Sequence, residues 1–427
     1  MRDITLDHYY TAQDGQVLAT GLQVLVRLPL EQARLDTARG LNTAGFDSGY
    51  RGSPLGRYDM DLKAAGAAMD AARVVIQPAI NEELAATALW GTQQVNLVPG
   101  AKYDGVFGIW YGKAPGVDRA LDPIRHANCA GTWSKGGVVL IVGDDPECKS
   151  STLPSQSEYA LMHVEAPILN PSGVQKCLDY GMSGFALSRY CGCWVAAMAT
   201  SDNMESHAVI EVGTSRYQNL PVRSDDGGAL LSIRHGDTAL AQEARLRGLK
   251  HPAAIEFVRL AGLNKRIVDG PARRLGIITT GRATNEVLQA LKDLGLDHPQ
   301  AAELGFSILK ISMPWPLDKR AVQDFAHGLD EILVVEDKRP LLEGLVKEAL
   351  YDLPNRPRGI GKRDAEGNPL LPDTGIVLPS HIVTAVLAKL PANVVCFADA
   401  KMKLRAESAP GPARKSREPI FCSGCPP

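Results

Sequence analysis

The stretch Thr43-Ala44-Gly45-Phe46-Asp47-Ser48-Gly49-Tyr50-Arg51-Gly52-Ser53-Pro54-Leu55-Gly56 decides how the chain is read. A strand end passes into a glycine-rich turn and then into a helical pattern that runs to about Ala72. Ser53 suits the N-cap of that helix and Pro54 its first position, where the missing N–H costs nothing. Glycines at a strand end let a ligand approach the backbone, and a helix N-terminus offers free N–H groups and a positive dipole end. Two readings stand side by side: an anion site with the Ser53 hydroxyl as an added donor, and a plain capped turn. The stretch is neither a Gly-Lys-Ser/Thr phosphate loop nor a Gly-x-Gly-x-x-Gly dinucleotide loop.

Outward from it, strands and helices alternate. Before it, Leu22–Pro29 fits helix and strand equally. After it, Val74–Gln77 reads as a short strand, and Asn81-Glu82-Glu83 opens a helix with Leu84, Ala85, Ala88 and Leu89 on one stripe. Val106–Trp110 and the β-branched run Val138–Val142 are core strands, Cys177–Leu187 a helix and Cys193–Ala199 a strand. This alternation predicts an α/β domain with a mostly parallel sheet over residues 1–215. Residues 216–270, rich in Arg, read as an interdomain connection with helical pieces. A second, doubly wound α/β unit is expected over 271–400, from strands Leu275–Thr280, Phe306–Ile311 and Glu331–Glu336 and helices Thr284–Leu294 and Pro340–Leu350. Tyr351–Ser380 reads as loop, and 401–427 as a linker leading into a Cys-bearing segment, Phe421-Cys422-Ser423-Gly424-Cys425.

Composition narrows the class. Of 427 residues 45% are hydrophobic and 22% charged, with a net charge of −2, so no global field draws the chain to nucleic acid or to an anionic membrane. No basic segment followed by an apolar run opens the chain, and its apolar runs are too short to span a bilayer, so a cytoplasmic protein is expected. Eight cysteines then read as reduced thiols, with Cys191 and Cys193 buried and inert.

Few residues are placed to carry chemistry. Glu82 at a helix start is either a complement to the helix dipole or a carboxyl desolvated by a ligand. Lys113, between Gly112 and Pro115, sits in a loop at a strand's C-terminal end, where α/β sheets bind ligands; a solvated Lys is the other reading. Asp144-Asp145-Pro146 follows a strand in the same way, and Ser150 to Glu158 forms a polar loop beyond it. His126 and His163 stand alone, Cys422 and Cys425 have no further ligands, and no metal site is read.

Taken in order, these pieces resemble the thiamine-diphosphate-dependent 2-oxoacid:ferredoxin oxidoreductases, most of all their long, fused indolepyruvate type. Gly49-Tyr50-Arg51-Gly52-Ser53-Pro54 is similar to the family's Gly-Tyr-Pro-x-Thr-Pro, and Asn81-Glu82 to its Asn-Glu. Gly112-Lys113, Gly143-Asp144-Asp145-Pro146, the Ser/Gln loop, Ala166–Ser172 and Val334–Pro340 follow in the family's order, and Phe421–Pro426 looks like the opening of a diphosphate-binding domain. Arg51 stands where relatives have Pro, and Ser53 where they often have Thr.

The resemblance implies a pyrimidine-binding domain followed by a transketolase-C-terminal-like domain. Glu82 would bond the cofactor's aminopyrimidine ring and favour the tautomer that activates the thiazolium, with Asp145 and Gln156 as further cofactor contacts. Ser53, Gly52 and Lys113 would face the substrate carboxylate. The implied reaction is oxidative decarboxylation of an aryl 2-oxoacid to its acyl-CoA, with coenzyme A as acceptor and ferredoxin reduced through iron–sulfur clusters. The diphosphate and Mg²⁺ need a Gly-Asp-Gly…Asn motif, but Gly143-Asp144-Asp145 has Asp at the second Gly, and no cluster-binding cysteine set is found. The expectation is therefore the front portion of a longer, dimeric enzyme, inactive until a diphosphate-binding and cluster-bearing domain or subunit completes it. The competing readings are another thiamine 2-oxoacid decarboxylase and a non-catalytic, partner-binding subunit.

Overall fold

A computed structural model describes residues 7–148, 153–223, 230–387 and 389–390. The chain divides into one unit that extends to Gly262 and a second that starts at Leu263.

In the first unit, β1 (Asp14–Thr20) pairs antiparallel with β8 (His207–Gly213). The main sheet holds β2 (Thr43–Gly49), β3 (Val74–Ile76), β4 (Gly105–Lys113), β5 (Val138–Asp144), β6 (Ile168–Leu169) and β7 (Val195–Thr200), all parallel, in the order β3-β2-β4-β5-β7-β6. Every residue of β5 is buried, as expected of a parallel strand covered on both faces.

Successive β4 residues address opposite faces. Phe107, Ile109 and Tyr111 pack in one core with Leu62 and Met69, from helices Tyr58–Ala64 and Gly66–Ala71. Gly108 faces helix Glu82–Gln94, where an added Cβ would meet Leu89 at 2.5 Å. The chain thus leaves β2 over one face to reach β3 and returns over the other to β4. Strand order reverses between β2 and β4, which opens a crevice at their C-terminal ends.

The ambiguous Leu22–Pro29 lies inside helix Gly21–Ala38, which starts on a reciprocal cap between Thr20 and Gln23. The expected helix at Pro54 is corrected. Residues 50–57 form turns, closed by Leu55 N–H on the Gly52 carbonyl, and the helix starts at Tyr58. Fully buried Leu55 holds this segment against Gly143, so the chain cannot wind into a helix there. Ser53 precedes a cis peptide bond, and the N-cap of the helix is Arg57 instead.

The connection expected over 216–270 folds instead into the first unit as far as Gly262. Its arginines pair within the unit: Arg216 with Asp179 and Glu211, Arg247 with Glu165 and Glu243, and buried Arg245 with Asp237 at 2.6 Å. Arg245 bonds the Ser232 carbonyl at 2.7 Å and the Ala130 carbonyl at 3.3 Å. Helix His251–Leu260 buries Phe257 edge-on to Tyr190, ring centroids 5.5 Å apart.

The second unit is a five-stranded sheet in the order β13-β12-β10-β11-β9. Its strands are β9 (Lys265–Asp269), β10 (Leu275–Thr280), β11 (Phe306–Ile311), β12 (Glu331–Val335) and β13 (Arg358–Ile360), parallel except for the edge strand β9. Helices Ala283–Asp293 and Leu341–Leu350 follow β10 and β12 as expected. Tyr351–Ser380, read as loop, contains β13 and the start of helix Pro379–Leu387. The linker and Cys-bearing segment expected over 401–427, with Cys422 and Cys425, and Ser150, Ser151 and Thr152 of the polar loop, lie outside the described residues. Among the described residues no helix is long and apolar enough to cross a membrane.

Candidate active site

Each unit has one crevice where strand order reverses, and the two differ in what fills them. In the second unit, at the ends of β10 and β12, Arg282 bonds both Asp337 oxygens at 3.0 and 3.1 Å and Glu286 at 2.9 Å. The Glu336 carboxylate beside it accepts the Leu342 and Glu343 N–H groups, which caps helix Leu341–Leu350 with the chain's own anion. Burial pushes this carboxyl up to about 7 against the pull of those N–H groups. The segment matched to the family by Val334–Pro340 is thus occupied by internal pairs.

The first unit's crevice gathers most of the residues singled out from sequence. Gly49 ends β2 where a Cβ would stand 2.5 Å from the Tyr111 ring, so only glycine lets the chain turn over β4. The turn segment then crosses two strand ends. A Cβ at Gly52 would touch Lys113 Cβ and Cδ at 3.0 Å, and one at Gly143 would meet Pro54 at 2.9 Å. Gly52 therefore lies on the aliphatic stem of Lys113, and half-buried Ser53 sits between the ends of β4 and β5. Lys113 closes β4 and precedes helix Ala114–Arg119 directly, rather than standing in a loop. Its ammonium has no internal acceptor among the described residues.

Glu82 is the first residue of its helix, whose N-cap Asn81 accepts the Leu84 N–H at 2.8 Å. Fully buried Trp110 donates its indole N–H to the Glu82 carbonyl at 3.0 Å and so ties the helix start to β4. The side chain is 8% exposed, and no hydrogen bond or ion pair ends on its carboxylate among the described residues. It faces Gly116, one turn beyond Lys113, where a Cβ would stand 2.7 Å from Glu82 Cδ. Gly116 therefore makes room for a carboxylate that has no donor among the described residues.

At the end of β5, Asp144 accepts Ser155 Oγ at 2.9 Å, Ser157 Oγ at 2.7 Å and Ser157 N–H at 2.9 Å, which draws the polar loop back to the strand. Buried Asp145 and half-buried Gln156 lie at this same sheet edge, one strand over from Lys113. Beneath the turn segment, Tyr58 donates to Asp47 Oδ2 at 2.8 Å, and complete burial pushes the Asp47 carboxyl up to about 8. Burial, with Asp47 and Asp59 nearby, also raises the Tyr111 phenol.

Sequence reading missed Trp110, Gly116 and Asp47. A charged residue inside the strand Thr-Ala-Gly-Phe-Asp-Ser-Gly was the available signal for Asp47. His126 and His163 have structural surroundings: His126 stacks on Trp90 at 5.9 Å, and His163 meets Arg125. Cys191 and Cys193 are fully buried, as expected.

Comparison with known proteins bears out the resemblance. Residues 265–406 match the indolepyruvate oxidoreductase domain family. The chain is 25% identical over 409 residues to indolepyruvate oxidoreductase subunit IorA of Archaeoglobus fulgidus, covering 91% of this chain and 58% of that one. It is 26% identical over 425 residues to the subunit IorA of Pyrococcus abyssi, covering 96% and 58%. The chain thus spans somewhat over half the length of these relatives. In fold it is similar to a 2-oxoglutarate:ferredoxin oxidoreductase from Magnetococcus marinus, solved with 2-oxoglutarate, coenzyme A and succinyl-CoA bound (TM-score 0.60, 15% identity, 89% of this chain and 66% of that one). The α/β architecture expected from sequence agrees with that neighbour.

Proposed function

We propose that this chain provides the pyrimidine-binding side of a thiamine-diphosphate site in a 2-oxoacid:ferredoxin oxidoreductase that converts an aryl 2-oxoacid of the indolepyruvate kind to its acyl-CoA. One observation carries the reading. Glu82, 8% exposed, stands at the sheet's switch point, its carboxylate has no donor among the described residues, and a glycine backs it and leaves it room. A carboxylate so placed fits a ligand that brings its own N–H or protonated ring nitrogen.

The bound cofactor would supply an electron sink for decarboxylation. Glu82 would accept a hydrogen bond from its ring, and water exclusion around Glu82 strengthens that bond. Asp145 and Gln156, at the end of the adjoining strand, would line the cofactor's far side. Lys113 would place its unpaired ammonium on the substrate carboxylate, with Ser53 as hydroxyl donor and Gly52 giving close backbone approach.

The diphosphate, Mg²⁺ and iron–sulfur clusters would be held by a further domain or subunit, in a cytoplasmic, dimeric enzyme with coenzyme A and ferredoxin as co-substrates. Without that complement the chain is expected to be inactive. The test is Glu82→Gln in the complete enzyme, followed by indolepyruvate- and coenzyme-A-dependent reduction of ferredoxin. A loss of at least about 100-fold with assembly intact is expected, and turnover equal to wild type would refute the assignment.

A further inference from the structure

A second concavity lies at the other edge of the first unit's main sheet. It measures about 420 Å³ and is lined by Arg39, Lys135, Arg189 and Arg223, with Ser134 and Tyr190 beside them. That volume falls within the range of small-molecule sites. Leu41 and Lys135, which line it, stand just before β2 and β5, at the N-terminal ends of strands whose C-terminal ends form the crevice of Glu82. Seven-residue strands separate the two places by roughly 20 Å.

The chain supplies too few anions here. Arg189 bonds Asp36 with both terminal nitrogens, at 2.6 and 2.8 Å. The same carboxylate already accepts Gln32 at 2.8 Å and Thr43 at 2.7 Å, so it is saturated. Arg39 reaches only the Tyr217 and Gln218 carbonyls, each at 3.1 Å, and burial and neighbouring Arg189 both weaken its hold on its proton. Arg223 lies 4.5 Å over the Tyr190 ring and 3.3 Å from Glu256, with its Nε buried and without an acceptor. Lys135 has no acceptor among the described residues. Four cations thus face two carboxylates, Asp36 and Glu256, around one hollow. Like charges gathered in a concavity repel and focus a positive potential into it.

We infer that this hollow binds a phosphate-bearing small molecule of nucleotide size. An anion of two to three charges, such as a nucleoside diphosphate, suits this surplus of positive charge. Guanidinium and ammonium groups together are the usual partners of phosphate oxygens. Leu41, Pro221 and Val222 form an apolar wall for the part of the ligand that is not phosphate. The site is separate from the one assigned to the thiamine cofactor and does not depend on that assignment.

The test is isothermal titration of the full chain with ADP, inorganic pyrophosphate and sulfate at constant ionic strength. ADP is expected to bind with a dissociation constant of about 1 mM or tighter, and Lys135→Glu to weaken it at least about tenfold. Lys135 has no internal partner, so circular dichroism and Tm should not change. Val222→Asp places a charge on the apolar wall from an exposed position and should also weaken ADP. No ADP binding, binding unaffected by both variants, or equal affinity for sulfate or pyrophosphate would each overturn the inference.

Discussion

The Glu82 carboxylate rests against Gly116: a Cβ at that glycine would stand 2.5 Å from Glu82 Cγ and 2.7 Å from Cδ. Gly116 is in helix Ala114–Arg119 with ordinary helical geometry, so Gly116→Ala strains no backbone and gains helix propensity. The flexible carboxylate is what must move. Displacing a reacting group by about 1 Å costs on the order of 100-fold in rate. Gly116→Ala is therefore expected to lower kcat of the complete enzyme by about that factor with Tm unchanged or raised. Full activity would mean that the Glu82 position seen here is not the working one.

Lys113 offers a different separation. Gly52 packs on its aliphatic stem, while its ammonium has no internal acceptor among the described residues. Lys113→Met keeps the stem and removes only the charge. Loss of a charge-assisted bond to the substrate carboxylate is worth about 1.5–3 kcal/mol, so KM for the 2-oxoacid should rise about tenfold or more. A steady-state KM within twofold of wild type would remove Lys113 from the substrate site.

Much of this arrangement was legible from sequence because its physics is local. Leu275–Thr280 and Phe306–Ile311 are apolar, β-branched runs buried throughout, and they fold as read. Asn81 caps its helix through a side chain three residues from its donor, a short-range bond that sequence displays directly. What escaped depends on distant partners. β9 has a single fully buried residue, and β1 only two, so neither shows an apolar run. Arg-rich 216–270 read as a connection because partners such as the carbonyls that Arg245 serves are 13 and 115 residues away. Ser53-Pro54 looked like a helix start because nothing local announces that Leu55 is held by Gly143, across the sheet. The meeting of Glu82 with Gly116 is of this second kind.

Asp47 makes a prediction in pH. Its carboxyl is raised to about 8 by burial, whereas in the unfolded chain it titrates near the ordinary value of 3.8. Between these values the folded state holds a proton that the unfolded state releases, so folding stability falls as pH rises across that window and levels off above it. The slope for one such group is about 1.4 kcal/mol per pH unit. Asp47→Asn still accepts the Tyr58 hydroxyl but cannot ionise. Urea unfolding at several pH values should show the variant gaining on wild type from about pH 4 to about pH 8. Parallel pH profiles would mean that Asp47 is ionised in the folded protein.

Arg27 and Glu31 form a fully buried ion pair at 2.7 Å within helix Gly21–Ala38. Arg27 also donates to the Tyr9 carbonyl at 3.0 Å and the Ala12 carbonyl at 2.6 Å, so it fastens the segment before β1 to the helix. Glu31→Leu strands a buried guanidinium and should cost about 3–5 kcal/mol. If the pair were merely an isolated ion pair, Arg27→Met with Glu31→Leu would restore stability, since apolar replacement of a buried pair is often neutral. The two carbonyls argue otherwise. In the double variant these half-buried carbonyls lose a hydrogen bond worth about 0.5–1.5 kcal/mol each. The double variant is therefore expected to regain only part of the loss in denaturant unfolding, with residues 7–12 more open to proteolysis. Complete recovery would show that Arg27 serves only Glu31, and that the segment before β1 is held by other contacts, such as buried Tyr10 and the Arg34 bond to the Tyr10 carbonyl at 2.7 Å.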